Sequence, residues 1–225
     1  YGGVVYPLSL LIESPVIMLL SASVALSKDT ASYRRIYRFM MIVSAAMTAL
    51  HALIAFTPLF DLVVVRLMGI PAAVIEPART GLQLMLPWTW AIGYRRFQQG
   101  VMIRFGHSRA VGIGTLTRLA GDALGLIVGA LLGLPGIAVG AGAQALGVTS
   151  EAVYAGLRVR PILQHELRDA PPVEPLAWRA FFNFYIPLAL TSLLTLLWQP
   201  LGSAAMARMP RPVETLAALP ALNGL

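Results

Sequence analysis

The sequence predicts an all-α membrane protein, a polytopic helical bundle, on three observations. Of its 225 residues, 57% are hydrophobic and 12% charged, with a mean hydropathy of +0.73; a soluble domain carries about 25% charged residues. Its apolar runs are about 21–26 residues long, the length a helix needs to cross roughly 30 Å of hydrocarbon. The strict alternation of a transmembrane barrel, in segments of about 10 residues, is absent. Lys and Arg collect in short clusters between the apolar runs, which is how membrane topology is encoded. Because lipid satisfies no backbone group, helices that close their own hydrogen bonds are the architecture left.

Six apolar segments follow in order. Segment A covers about 3–27, B about 36–58, C about 80–105, D about 111–134, E about 137–157 and F about 180–206, with the start of a seventh at 216–225. Residues 59–76 hold LFDLVVVRLMGIP, too short and charged to span, and predict an amphipathic surface helix. Leu134-Pro135-Gly136 makes a tight turn between D and E. The polar stretch 158–179, with Asp169-Ala170-Pro171-Pro172, reads as a linker between two bundles. The organisation is thus 1–157 as one bundle, 158–179 as a cytoplasmic linker and 180–225 as the start of a second. Glycines crowd D (Gly112, Gly114, Gly121, Gly125, Gly129) and small residues crowd E (Gly140 to Ala143), predicting a close D–E contact.

Charge gives the orientation. Lys28, Arg34, Arg35, Arg38, Arg95, Arg96, Arg104, Arg109, Arg118, Arg158, Arg160, Arg168 and Arg179 fall on one side if the spans alternate; Arg66, Arg79, Arg208 and Arg211 fall on the other. The richer side belongs in the cytoplasm, so segment A runs inward and the chain is expected as a multi-pass protein of the cell (inner) membrane. The net charge of +7 forms no basic stripe, so no nucleic-acid partner is expected. The absence of cysteine excludes disulfides and thiolate chemistry. The chain opens at Tyr1 inside one apolar run and stops inside another, which reads as a piece of a longer protein. The expected partners are therefore membrane lipids and the remainder of its own chain.

Ionisable groups at membrane depth cost about 2.5–3.5 kcal/mol each on insertion scales, so they face a bundle interior. Glu13 precedes Pro15, which breaks its helix and frees backbone groups nearby. It is a candidate ion-coupling residue for H+ or Na+, or else the partner of an arginine on another helix. Arg118 and Asp122 stand four apart on D and are expected to pair. Glu151 on E is expected to reach the Arg158 region. Asp122 and Glu151 complete the ion-coupling candidates. His51 reads as a hydrogen-bonded packing residue, with a proton relay as the sharper alternative. The three histidines lack metal-ligand spacing, and neither a metal nor another cofactor is expected.

Segment C carries Arg95-Arg96-Phe97-Gln98-Gln99. A helix ending at Tyr94 would be short for a span, so one helix over about 80–105 is predicted, closing at a glycine turn near Gly106. Arg95, Gln98, Gln99 and Met102 then share a face, with Trp88 and Ala91 above them. That face either lines an internal cavity, where arginine suits an anionic group, or snorkels to the headgroups.

The stretch RRFQQGVMIRFGHSRAVGIGTLTRL resembles the fourth helix and following turn of MATE-like members of the multidrug/oligosaccharidyl-lipid/polysaccharide exporter superfamily. FFNFYIPLALTSLLTLLWQPLGSAAMARMP, followed by VETLAALPALNGL, resembles the opening of the second six-helix half. PLALTSLLTLLWQP is most similar to the progressive-ankylosis type, a branch associated with export of pyrophosphate, nucleotide or carboxylate anions. The resemblance implies a partial two-bundle transporter fold of six spans plus the start of a seventh, with A to E as helices two to six and F as helix seven. It implies a non-enzymatic secondary exporter that moves a small organic solute, anionic in the progressive-ankylosis branch, by alternating access coupled to H+ or Na+, so a small organic solute joins the expected partners. Substrate contacts would come from Arg95, Arg96, Gln98, Gln99, Asn183 and Gln199, and prolines 15, 87, 187 and 200 would permit bending. A lipid-linked precursor flippase of the same superfamily is the alternative. A membrane-embedded lipid-phosphate transferase is a remote one, because Asp122 and Glu151 are isolated and no D-x-x-D is present for a metal.

Overall fold

The computed structural model describes residues 2–223. Its helices are α1 (Val5–Ile17), α2 (Leu19–Leu26), α3 (Thr30–Phe56), α4 (Ala72–Leu84), α5 (Leu86–Arg104), α6 (Ser108–Leu131), α7 (Gly136–Gln164), α8 (Glu166–Asp169), α9 (Trp178–Met206) and α10 (Pro212–Asn223). A π-helical segment, Asp61–Leu67, lies between α3 and α4, and there is no strand among the described residues. Among the described residues, four helical stretches are long and apolar enough to cross a membrane: Val5–Leu26, Thr30–Phe56, Ser108–Leu131 and Trp178–Met206. They mark a helical membrane protein. Helices α5 and α7 have 19 and 29 residues, long enough but too polar to join that group.

Proline chemistry corrects the expected boundaries. Segment C is not one helix from about 80: the chain breaks at Met85, and α5 starts only at Leu86. Pro87 has no N–H for the preceding turn and its ring crowds the carbonyl of Gln83. The surface helix expected over 59–76 is instead the π-helical segment followed by the first turns of α4. Segment A breaks at Met18, three residues beyond Pro15. Segment E runs past its expected end at 157 to Gln164, with Pro161 inside it. Segment B starts earlier than expected, at Thr30, because Asp29 caps it: Ser32 N donates to Asp29 Oδ1 (2.8 Å) and Asp29 N donates to Ser32 Oγ (3.0 Å). The expected seventh segment falls in α10; Gly224 and Leu225 lie outside the described residues, as does Tyr1.

Glycine ends two helices, the first where the sequence predicts it and the second just before the expected Leu134-Pro135-Gly136 turn. Gly106 after α5 and Gly133 after α6 take φ values of 79° and 64°. His107 N reaches Met102 O (2.8 Å) and Leu134 N reaches Gly129 O (3.1 Å), closing the last carbonyls.

Helix α5 sits at the centre, packed by α7, α2, α3 and α1, while α9 lies on α1 and α6 lies on α7. The α6–α7 contact is a backbone-to-backbone seam: a Cβ at Gly125 would stand 2.6 Å from the Ala143 Cα, and one at Gly121 2.9 Å from the Gly147 Cα. Small residues allow this approach, which gains dispersion and excludes lipid. Outward faces are apolar, with Ile42, Leu131 and Leu194 among the most exposed side chains. Glu13 of α1, His51 of α3 and Glu151 of α7 are fully buried in the interior around α5.

Candidate functional site

The α6–α7 seam decides which carboxylate meets which cation. With Gly114 and Gly121 against α7, Glu151 is carried to the α5 side of the seam. It is fully buried, and Arg95 Nη1 of α5 lies 2.5 Å from its Oε2. Gln99 Nε2, one turn on, donates to its Oε1 at 2.8 Å, and Arg118 Nε of α6 stands 3.9 Å away. Three helices are thus tied through one carboxylate. Charge-assisted bonds of this kind offset a desolvation cost of several kcal/mol per ion.

Two expected pairings are corrected here. Arg118 does not pair with Asp122; it turns to Glu151, and Asp122 packs against Gly147 with a buried Oδ1 that has no hydrogen bond. Glu151 does not reach the Arg158 region; it points to α5. In both cases the close seam outweighs spacing along one helix.

Arg95, Gln98 and Gln99 are all buried, so their shared face is internal. Gln98 Nε2 reaches Tyr33 Oη at 3.5 Å, and its Oε1 has no partner. Arg96 is half-buried and, among the described residues, makes no ion pair; its Nε is buried without a hydrogen bond. The two arginines therefore differ: Arg95 is held by Glu151 and Arg96 is not held by a carboxylate. Asn183 is exposed on α9. Gln199 is half-buried with a free Oε1, and no hydrogen bond among the described residues links either to the Arg95–Glu151 cluster.

Glu13 lies on α1, fully buried, and neither oxygen closes a hydrogen bond. Thr89 and Arg95, both of α5, lie in its neighbourhood without closing a bond to it. The expected break next to Glu13 does free a backbone group: the Tyr185 hydroxyl of α9 donates to the Pro15 carbonyl, in the last turn of α1 where carbonyls lack helical partners. His51 of α3 is also fully buried, with Nδ1 2.6 Å from Thr89 Oγ1 and Nε2 3.0 Å from the Leu82 carbonyl. Around these lie Ser9, Ser14, Ser44 and Trp88, each with a buried polar atom that has no partner. No group of three or more His, Cys, Asp or Glu stands together for a metal among the described residues.

Sequence reasoning missed Thr89, which nothing in LPWTW singles out. It also missed the Asp29 cap, for which an Asp three residues before a Ser ahead of an apolar run was the available signal.

Fold and site together define a helical membrane protein with a charged interior around one central helix. No family model, no curated protein and no solved structure matches the chain.

Proposed function

We propose that this chain belongs to a multi-pass secondary exporter of the MATE-like kind, which moves an organic, anionic solute across the cell (inner) membrane by alternating access, coupled to H+ or Na+. In this reading α1–α2, α3, α5, α6, α7 and α9 are six spans and α10 opens a seventh. The observation that carries it is the enclosed polar face of α5 inside a bundle of otherwise apolar helices, with Arg96 lacking a carboxylate. Buried charge in a bilayer is costly and marks solute or ion paths. Arg96 is the group for an anionic oxygen, through planar bidentate bonds, and Gln98 offers a free acceptor beside it. Glu13 is the coupling carboxylate. Helix breaks at Met18 and Met85 supply the bending that alternating access needs.

The experiment is efflux by the complete gene product reconstituted in proteoliposomes, with pyrophosphate, a nucleotide and citrate as probes. Arg96→Gln is expected to cut transport of the accepted anion at least tenfold while unfolding as the wild type does. Equal transport by Arg96→Gln and wild type removes the assignment.

A lipid-linked flippase is the second reading, and one observation favours it. A groove of about 550 Å³ between α5 and α7 opens sideways, lined by stacked Trp90 and Tyr94 (centroids 5.2 Å apart), Gly156 and Leu157, with Arg160 at one end. Scrambling of a lipid pyrophosphate analogue, lost in Arg160→Gln and kept in Arg96→Gln, selects this reading over export.

A further inference from the structure

We propose that the groove between α5 and α7 is the seat of one anionic phospholipid, with its phosphate at Arg160 and an acyl chain along the Trp90–Tyr94 wall. The seat rests on the reading of α5 and α7 as spans and not on any exported solute. It differs from the flippase reading in that the lipid stays where it binds.

Two stripes of side chains build the groove. On α5, Trp90 and Tyr94 stand one turn apart, and their rings stack at an interplanar angle of 14°. On α7, Thr149, Val153, Gly156 and Arg160 recur at spacings of four and three, which is one helix face. Gly156 makes the floor: a Cβ there would stand 2.7 Å from Tyr94 Oη, so the glycine lets the ring settle onto α7. The opposite wall is open, with Val153 and Leu157 59% and 55% exposed.

The polar groups are few and all of one kind. No Asp or Glu lines the groove among the described residues. Arg160 is exposed and makes no ion pair or hydrogen bond among them, and the Tyr94 hydroxyl makes no hydrogen bond. The groove therefore offers a free cation at one end, a free hydroxyl next to it and apolar wall beyond.

Its dimensions match a lipid of one leaflet. From Thr149 to Arg160 α7 rises about 16 Å, close to half of the roughly 30 Å hydrocarbon core. Gly156, under the Tyr94 hydroxyl, is one turn or about 6 Å deeper than Arg160. A phosphate accepts paired bonds from a guanidinium. The ester carbonyls of the glycerol backbone, next inward, accept from the tyrosine. Basic pockets between membrane helices take anionic headgroups in this way. A small free anion would meet one cation and leave the apolar wall unused. An apolar helix laid in the groove would cover the wall but give Arg160 and Tyr94 no acceptor.

Native mass spectrometry of the complete gene product tests this, in detergent supplied with phosphatidylglycerol or with phosphatidylcholine of the same chains. One phosphatidylglycerol per chain is expected to stay bound in preference to phosphatidylcholine. Arg160→Gln should weaken its retention about fivefold or more, and Tyr94→Phe about two- to tenfold. Arg158→Gln removes the same charge two residues away, where the side chain lines a different cavity with Ser108 and Arg109, and should leave retention unchanged. Equal losses in Arg158→Gln and Arg160→Gln overturn the proposal, because they mark unspecific surface charge. Equal retention of the two lipids overturns it as well. Benzoylphenylalanine in place of Trp90 should crosslink on illumination to an acyl chain; crosslinks only to the protein's own chain would show that another segment fills the groove, and remove the seat. Labelled phosphatidylglycerol that changes leaflet faster with the protein than without it makes the groove a path and overturns a resident lipid. Val153→Cys separates the remaining failures. Its labelling by a membrane-impermeant maleimide puts the groove in water and removes the span reading together with the seat, whereas missing lipid without labelling removes the seat alone. Retained lipid with unchanged efflux in Arg96→Gln keeps the seat and removes the exporter assignment.

Discussion

Glu13 and Glu151 are both fully buried, yet their surroundings are opposite. Glu151 meets a guanidinium at 2.5 Å, an amide at 2.8 Å and a second guanidinium at 3.9 Å. Glu13 meets no cation at bonding distance, and neither of its oxygens closes a hydrogen bond. A buried charge is tolerated where an opposite charge and good hydrogen bonds compensate its lost hydration. Glu151 has that compensation and so behaves as part of the scaffold, fastening α5 to α7. Glu13 lacks it and sits beside two helix breaks. The difference separates a carboxylate that holds helices together from one free to change its state.

The sharpest way to break this contrast is to remove one side of the pair. Glu151→Ala leaves Arg95 buried and unpaired, and thermal unfolding in detergent should show a loss of about 3–5 kcal/mol. A loss under about 1 kcal/mol would mean that the cluster is not structural. The double replacement Arg95→Met with Glu151→Leu should recover most of that loss, because an apolar pair of similar volume has no charge to desolvate.

Next in size is the seam that presents Glu151. Gly125→Val places side-chain atoms where even a Cβ would stand 2.6 Å from the Ala143 Cα. The expected cost is about 1–3 kcal/mol from overpacking. By prying α7 from α6 it should also weaken the Arg118–Glu151 contact. A double-mutant cycle of Gly125→Val with Arg118→Gln should therefore be non-additive. Additive effects would show that the seam and the charge cluster are independent.

A third carboxylate calibrates the other two, since it lies outside the spans. Asp29 accepts from the Ser32 hydroxyl and backbone and from Val173 N (3.2 Å), fixing the start of α3 and the linker after α8. The Ser32 hydroxyl, foremost, holds its carboxyl below the ordinary aspartate range. A folded-state value below the unfolded one gives stability that is present above about pH 4 and lost as pH falls through the folded value. Asp29→Ala should cost about 1 kcal/mol near neutrality. Its melting temperature should converge on the wild type in acid. A gap that does not shrink with falling pH would exclude the capping role.

How much of this was legible in the sequence depended on whether one helix or two were involved. Periodicity along one helix placed Arg95, Gln98 and Gln99 on one buried face, and glycine marked the end of α5. The small residues of segments D and E foretold their contact. The break at Met85 was missed because an apolar run looks continuous through Leu86-Pro87, although the proline that causes it was in view. Partnerships across helices were not legible. Spacing of four residues joined Arg118 to Asp122 on paper, but the glycine seam brings α7 so close that Glu151 wins. Thr89 is invisible for the same reason, since its bond to His51 exists only where α3 and α5 meet. Asn183, chosen for its polarity in an apolar run, is simply exposed on α9.

The smallest expected effect bears most directly on the contrast. Glu13→Gln keeps shape and volume and removes no ion pair or hydrogen bond, since neither Glu13 oxygen closes one. The unfolding free energy should therefore move by under about 1 kcal/mol, because no buried partner is left unpaired. Glu151→Gln, the same chemical change, strands Arg95 and should cost several times more. Comparable losses in the two variants would mean that Glu13 carries a charge compensated by a cation, and the two carboxylates would then do the same work. A near-neutral Glu13→Gln beside a costly Glu151→Gln fixes the difference in kind, because identical substitutions at equally buried sites can diverge only through the groups that each carboxylate touches.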